Sequence, residues 1–436
     1  MPTLAGLPYL PLRFDKDGVR QGKGPIRPDG VSDLIVMSHG WHQDPDDAQG
    51  MYEAILTQLQ AVAGHGALAG RRLGVTGVYW PSDQFRDDLS AETVAVLGAA
   101  AAAAGGNDAG LVRLQQKARA QAHLFGMTAD RLEALVTYAA TGGAGDADDL
   151  ATTLRANVGA TTHVDREMRE EHSELLDPTK PGRDILHSLR AAGARGATAA
   201  TQGGARAAAL GVSGGTAPAL GLLSGPVAAV ATLLNQFAYF ELKKRAGRVG
   251  ARLGALLDGD GLPGVERLHL VGHSFGARLV TAAASVVEAA KPYSLTMLQG
   301  AFSHNALGVD VAPHLNGAYR NAVAGAKVRG RIVVTHTWND HAVGVLYAIA
   351  SRASNDIAAG LVRVTDQFGG ARDLRGGMGA NGALRLKPGE GTARNFDGAA
   401  VPQLGAGVTS LRCDFIGSHN DVRTPGVARV ILAAMR

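Results

Sequence analysis

The sequence predicts an α/β fold with a mostly parallel central sheet and helices on both faces. Short apolar runs rich in β-branched residues alternate with segments of helical pattern, as expected for parallel strands joined by crossover helices. Several of these runs end in polar loops, and ligands of open parallel sheets bind beyond the carboxyl ends of the strands. The alternation lapses between residues 84 and 234. That length exceeds the need of one crossover and indicates an insertion.

The predicted strands begin with an edge hairpin and continue as short buried runs. Residues 9–14 and those from Val19 onward flank a turn-like Asp-Lys-Asp-Gly segment, which predicts the hairpin. Buried strands are then predicted at residues 34–37, 75–80, 268–271, 295–298, 332–335 and 411–416. Cys413, the only cysteine, is interpreted as a buried residue of the last strand. A single cysteine excludes an intramolecular disulfide and a cysteine-based zinc site.

The helical segments divide between a core and the insertion. In the core, a helix is predicted after the first buried strand, and residues 237–257 have the pattern of an amphipathic helix. The apolar face of the first of these helices is formed by Met51, Ile55, Leu56 and Leu59. Within the insertion, helices are predicted at residues 94–104, 111–124, 129–140 and 164–176. We therefore expect an α/β core at 1–83 and 235–436 and a largely helical insertion, a cap or lid, at 84–234.

Composition and charge narrow the classes of partner. Hydrophobic residues make up 46% of the chain and charged residues 19%, which is typical of a globular protein and not of a disordered one. The net charge is +4, and no basic run is interleaved with aromatic residues, so no nucleic acid partner is expected. Residues 1–12 lack the pattern of a secretory signal, which predicts a cytoplasmic location and leaves non-classical export open.

One uncharged stretch, residues 207–240, raises the question of a membrane span. Several glycines and two prolines interrupt it, and much of the remainder is alanine. A buried helical pair or an apolar lid is therefore favoured over a span. The insertion is also the part of the chain expected to make any peripheral contact with membrane lipid.

The pattern Gly-x-Ser-x-Gly occurs twice, and its flanks distinguish the two serines. With 59 glycines in the chain, such a match alone carries a risk of accident. Ser274 follows the apolar run 267–271 and precedes the amphipathic segment 277–284, as a nucleophile elbow requires. Ser213 follows an alanine-rich segment and runs into Pro218, so it has neither flank. Ser274 is therefore the predicted nucleophile.

A serine hydroxyl needs a base to accept its proton and an acid to orient that base. His419 lies just past the last predicted strand and is the predicted base. Asp340 follows the strand at 331–335 and is the predicted acid, with Asp310 as the reserve. Asp421 is only two residues from His419 and would have difficulty reaching its ring.

Attack on a carbonyl creates an oxyanion, which backbone N–H groups must stabilise. The Phe275 amide follows the nucleophile directly, and a second donor is expected after the first buried strand, where Trp41 is chosen and His42 is the near alternative. The same loop suggests a metal site, but its residues need not have chelating geometry, so neither a metal nor another cofactor is expected. The residues concerned are His39, His42, Asp44, Asp46 and Asp47.

The order Ser274, Asp340, His419, with a Gly-His-Ser-x-Gly elbow and a His-Gly oxyanion loop, resembles the α/β-hydrolase superfamily and especially its lipase and serine-esterase branches. The resemblance covers about residues 31–83 and 235–436. It implies hydrolysis of a small-molecule or lipid ester through an acyl-enzyme, without a cofactor. The uncharged stretch favours a lipophilic acyl group. An amidase, peptidase or thioesterase with the same triad, or a non-catalytic binding protein with this fold, are the alternatives.

Overall fold

The computed structural model describes residues 2–40, 44–64, 66–82, 107–159, 175–191, 225–340, 343 and 370–436. The chain divides into two compact units. The first comprises Met1–Asp83, Lys243–Tyr347 and Gly369–Arg436, and the second comprises Gln84–Leu242 and Ala348–Phe368. The first unit therefore resumes at Lys243, where the sequence suggested residue 235.

Ten strands of the described residues form one sheet, and most of them run parallel, which confirms the predicted α/β class. The strands are β1 (Thr3–Leu4), β2 (Leu7–Phe14), β3 (Arg20–Gln21), β4 (Asp33–Ser38), β5 (Leu73–Tyr79), β6 (Arg267–His273), β7 (Ser294–Leu298), β8 (Arg331–His336), β9 (Gly391–Asn395) and β10 (Val408–Arg412). Their order is β1-β2-β5-β4-β6-β7-β8-β10-β9, and β3 pairs with β2. The short β1 and β3 are antiparallel to β2, so the predicted hairpin is present, and the remaining pairs are parallel.

The direction in which the chain builds the sheet reverses between β4 and β6. From β4 the chain moves to β5 on one side, whereas β6, β7, β8 and β10 extend the sheet on the other side. Such a reversal leaves a crevice beyond the carboxyl ends of the two central strands. Ser38, the last residue of β4, lies opposite Gly272 of β6. The loops that begin at His39 and at Ser274 therefore leave the sheet side by side.

The described residues include several helices. They are α1 (Pro45–Ala63), α2 (Asn107–Gln121), α3 (Ala129–Thr141), α4 (Ala144–Gly159), α5 (Pro226–Asp260), α6 (Phe275–Val286), α7 (Arg320–Ala324), α8 (Met378–Asn381) and α9 (Pro425–Met435). In the first unit, α1 and α9 pack against Ile35 and Met37 of β4 on one face. Leu34 and Val36 alternate to the opposite face and are fully buried too, while α6 contacts β4, β6 and β7.

Helix α1 illustrates how the local sequence sets an element. The Asp44 carboxylate accepts hydrogen bonds from the N–H groups of Asp46 and Asp47, and Pro45 occupies the first turn, where its missing N–H is not needed. The helix ends before Gly64, whose φ is 54°. The predicted apolar face of α1 is buried as expected, and it consists of Met51, Ile55, Leu56 and Leu59.

The second unit contains helices in the region predicted as the insertion. Helices α2 and α3, with a 3-10 turn at Ala122–Phe125, confirm the helices predicted at 111–124 and 129–140. Residues 182–191 are also helical. The helix predicted at 94–104 and nearly all of that at 164–176 lie outside the described residues. Across the described ranges, no helix has both the length and the apolar character needed to cross a membrane.

Two sequence predictions about the last strands are wrong. The sequence predicts the final strand at residues 411–416, but β10 spans Val408–Arg412, because its register runs from Val408 opposite Ile332 to Arg412 opposite His336, where β8 ends. Cys413 is buried as predicted but lies just past the strand, in a turn. Strand β9 was not predicted, because its residues are exposed or half-buried and carry no apolar pattern.

Candidate active site

The turn from β6 into α6 holds Ser274 in an unusual backbone conformation. Its φ is 58° and its ψ is −122°, which L side chains rarely adopt. The turn is fixed from both sides, since the Ser274 N–H donates to the Leu298 carbonyl at 3.0 Å and the Ser274 carbonyl accepts from the Ala301 N–H at 3.2 Å. A strained strand-to-helix turn of this kind presents a serine hydroxyl clear of the backbone.

Three glycines allow the chain segments around Ser274 to approach closely. A Cβ on Gly272 would overlap the backbone of Gly276, and a Cβ on Gly276 would lie 2.5 Å from the His39 carbonyl oxygen. A Cβ on Gly40 would lie 2.6 Å from the Ser274 Cβ and 3.2 Å from its Oγ. The motif glycines therefore let the helix pack on the loop after β4, and Gly40 leaves room for the serine.

Gly276→Ala is expected to lower the free energy of unfolding by about 3 kcal/mol or more, because the new methyl group must displace backbone atoms in a packed core. Gly50→Ala is the matched control, because Gly50 lies in α1 with nothing within 4 Å of its missing Cβ. That change should stabilise the protein by about 0.5–1 kcal/mol. Denaturant unfolding followed by tryptophan fluorescence measures both, and equal effects at the two positions would contradict the packing argument.

The structure brings the three predicted triad residues together in one hydrogen-bonded chain. His419 Nε2 lies 2.8 Å from Ser274 Oγ, and His419 Nδ1 lies 2.9 Å from Asp340 Oδ2. Because the carboxylate can only accept, Nδ1 carries the proton and Nε2 is left to accept from the serine hydroxyl. Asp340 is fully buried, whereas the His419 side chain is 17% exposed. The arrangement has the geometry that a serine nucleophile, its base and an orienting acid require.

The other two aspartates considered from the sequence serve elsewhere. Asp310 is exposed, with a φ of 49°, and its N–H donates to Asn316 Oδ1 at 3.2 Å. The Asp421 carboxylate accepts from the Gly417 N–H at 3.1 Å and so closes the loop that carries His419. Among the described aspartates, the structure places Asp340 against the His419 ring.

His273 supports the loop of His419 from the neighbouring position in the motif. Its Nε2–H donates to the His419 carbonyl at 2.9 Å, and the two rings lie 4.9 Å apart. Burial lowers the pKa of His273 to about 3, so the ring is neutral at physiological pH. Sequence reasoning treated this residue only as a variable position of the elbow.

Gln299 is a second neighbour that sequence reasoning missed. It follows β7 directly, is fully buried, and donates from Nε2 to Asp340 Oδ2 at 3.0 Å and to the Gly379 carbonyl at 3.3 Å. The available signal was its place at the carboxyl end of a predicted strand, the same signal that selected Asp340.

His39 and Gly40, which follow β4 directly, are held in place beside the serine. The Tyr52 hydroxyl accepts from the His39 N–H at 2.8 Å and donates to the Val78 carbonyl at 2.7 Å. The His39 ring stacks on Trp80 and donates from Nδ1 to the Gly40 carbonyl at 2.9 Å. The predicted oxyanion donors Trp41 and His42 lie outside the described residues.

The other predicted oxyanion donor, Phe275, is the first residue of α6. The amino-terminal end of a helix favours negative charge, because the N–H groups of its first turn point outward there and the helix dipole has its positive end there. An oxyanion formed beside Ser274 would therefore lie at the positive end of α6. The role of this amide as an oxyanion donor stays a prediction.

The metal site weighed from the sequence includes His42, which lies outside the described residues. Within them, no group of three or more His, Cys, Asp or Glu side chains is placed to hold a metal ion. Asp44 caps helix α1, and the His39 ring is occupied by the loop itself.

Four buried histidines predict a stability that falls in acid. Burial lowers the pKa of His39 and His336 to about 4 and that of His273 and His304 to about 3. The unfolded chain, with histidine pKa values near 6.5, binds more protons below that pH. The contribution of these neutral histidines to the free energy of unfolding is therefore complete above about pH 6.5. It is lost toward pH 3–4, at up to about 1.4 kcal/mol per pH unit for each histidine.

Urea unfolding at pH 7.5, 6.5, 5.5 and 4.5 measures this dependence. All three tryptophans belong to the first unit, which also holds the four histidines, so tryptophan fluorescence reports on the relevant part of the chain. His314→Asn, at an exposed position, should leave the slope unchanged. A flat unfolding free energy between pH 7.5 and 4.5 would contradict the prediction.

Comparisons of the chain with models of known protein families, with curated proteins and with solved structures found no match.

Proposed function

We propose that the protein is a serine hydrolase with an α/β-hydrolase fold that cleaves carboxylic esters through an acyl-enzyme. The observation that carries the proposal is the chain of hydrogen bonds from Ser274 Oγ through His419 to Asp340, with distances of 2.8 and 2.9 Å. The position of these three side chains supports the proposal too, because they lie beyond the carboxyl ends of the strands, at the point where the sheet order reverses. The order Ser, Asp, His along the chain is that of α/β-hydrolases.

The reaction follows from the protonation states that these contacts impose. Ser274 Oγ attacks the ester carbonyl carbon while its proton passes to His419 Nε2. The imidazolium is stabilised by the buried Asp340 carboxylate and then gives the proton to the leaving alcohol oxygen as the carbon–oxygen bond breaks. A water molecule, deprotonated by the same nitrogen, attacks the acyl-enzyme, and the carboxylic acid leaves as Ser274 regains its proton.

The tetrahedral intermediate of each half-reaction carries an oxyanion beside Ser274. The Phe275 amide at the start of α6 is one proposed donor, and the loop that begins at Gly40 is the proposed source of the other. The Tyr52 hydroxyl fixes the His39 backbone, so the residue that precedes this loop is already in place when charge develops. Preorganised donors of this kind act on the transition state more than on the substrate.

A substrate panel tests the proposed bond. We expect chromogenic esters of increasing acyl chain length to be hydrolysed. The lipophilic preference inferred from residues 207–240 predicts that kcat/KM rises toward longer acyl chains. Matched anilides and thioesters separate an esterase from an amidase or a thioesterase. Faster turnover of anilides than of esters would overturn the ester assignment, and flat activity with chain length would overturn the lipophilic preference.

A labelling experiment tests the alternative from another class, a non-catalytic binding protein. A fluorophosphonate probe reacts with a serine only when a base activates it. Wild-type protein is expected to be labelled with one equivalent at Ser274, identified by peptide mapping. Failure to label, in protein that unfolds cooperatively, would favour the binding function over catalysis.

A further inference from the structure

We propose that Gln299 is a positioning residue of the triad, which orients the Asp340 carboxylate toward His419 by a hydrogen bond to the same carboxylate oxygen. The inference deepens the proposed function and rests on it. Gln299 is fully buried, and the triad residue that it contacts is Asp340.

The contacts of Gln299 leave one orientation for its side-chain amide. Asp340 Oδ2 at 3.0 Å and the Gly379 carbonyl at 3.3 Å are both acceptors, so the nitrogen must face them. The Thr335 hydroxyl accepts a hydrogen bond from the backbone N–H of Gln299 at 3.2 Å and donates one to the side-chain oxygen Oε1 of Gln299 at 3.0 Å. Thr335 therefore fixes the amide from the other side.

The Asp340 carboxylate is correspondingly constrained at both oxygens. Oδ1 accepts from the Val343 N–H at 2.9 Å, and Oδ2 accepts from both His419 Nδ1 and Gln299 Nε2. Three N–H donors satisfy the hydrogen-bonding capacity of a carboxylate that burial removes from water. Without Gln299, Oδ2 keeps a single donor and the carboxylate can rotate away from the imidazole.

The backbone at Gln299 and the neighbouring Gly379 allow the Gln299 side chain to reach Asp340. Gln299 has a φ of 47°, a conformation that costs energy for a residue with a Cβ. A Cβ on Gly379 would lie 2.6 Å from the Gln299 carbonyl carbon and 3.0 Å from Asp340 Oδ2. The close approach of these three residues is therefore possible only with glycine at 379, and the glutamine sits where the hydrogen bond to Asp340 requires it.

Two substitutions separate the donor from the shape of the side chain. Gln299→Met keeps a similar length but removes the donor, and we expect kcat to fall about 10- to 100-fold with KM within about threefold, as for the loss of one hydrogen bond to a charged group. Thr296→Val is the matched control, because Thr296 is buried in β7, the strand that ends just before Gln299, and its hydroxyl has no hydrogen-bond partner among the described residues. It should leave kcat unchanged.

Gln299→Glu keeps the shape and makes the donor dependent on pH. Two buried carboxyl groups in contact share a proton, so the new group donates to Asp340 while it is protonated and repels it once ionised. We expect kcat/KM near the wild-type value at low pH and an alkaline limb that the wild type lacks. A purely structural role of Gln299 would not create this limb, so the readout remains decisive if Gln299→Met fails to fold.

Histidine NMR of the resting protein keeps this inference separate from the proposed function. In the wild type, the ¹⁵N spectrum of His419 should show the proton on Nδ1, and in Gln299→Met a mixture of tautomers. Unchanged tautomers together with unchanged pH profiles in both variants would overturn the role of Gln299. If the wild type hydrolyses no substrate and is not labelled, the proposed function fails, while the NMR comparison still decides whether Gln299 orients the pair.

Discussion

Ser274→Ala is expected to lower kcat/KM for ester hydrolysis by about 10⁴- to 10⁶-fold and to abolish fluorophosphonate labelling. The change removes the only atom proposed to form the covalent bond, and water without an oriented nucleophile cannot replace it. The residual rate should reflect only binding and oxyanion stabilisation, which remain in the variant. Because alanine is smaller than serine and the site lies at a loop, the fold should be unaffected.

Ser213→Ala provides the matched control for this change, because Ser213 occupies the second Gly-x-Ser-x-Gly match of the chain. It lies outside the described residues, and the sequence predicts no role for it in catalysis. Activity and labelling should equal those of the wild type. Equal labelling of Ser274→Ala and wild type would refute the nucleophile assignment, whatever the result at Ser213.

Asp340→Asn is expected to lower kcat about 10⁴-fold, with KM within a few-fold of the wild type. An asparagine amide presents N–H to His419 Nδ1 and so favours the tautomer with its proton on Nε2. In that tautomer the nitrogen facing Ser274 Oγ donates and cannot accept the serine proton. The loss is therefore in the chemical step, since substrate binding does not involve the buried carboxylate.

Asp310→Asn is the matched control, because Asp310 is the other aspartate considered for this role and is exposed. Its activity should stay within twofold of the wild type. Steady-state kinetics on one chromogenic ester compares the two variants, and a melting curve verifies that each is folded. Loss of activity in Asp310→Asn with full activity in Asp340→Asn would reverse the assignment of the acid.

Much of the sheet could be predicted because its signals are local. Buried parallel strands need apolar residues on both faces, and the runs at 34–37, 268–271 and 295–298 coincide with β4, β6 and β7. The elbow could be recognised for the same reason, since a buried strand, two glycines and a helix are all visible within about twenty residues. Exposed β9 carries no such pattern and went unnoticed.

The parallel α/β class and the candidates Ser274, Asp340 and His419 could be predicted from the amino-acid pattern alone, because each strand and each candidate is marked by residues close to it along the chain. The choice among the aspartates, the place of Gln299 and the support from His273 required coordinates. These contacts join loops from β6, β7, β8 and β10, and their meeting depends on strand order and register, which arise from packing between distant segments. Local patterns carry no information on which of several loop carboxylates comes within hydrogen-bonding distance of one imidazole.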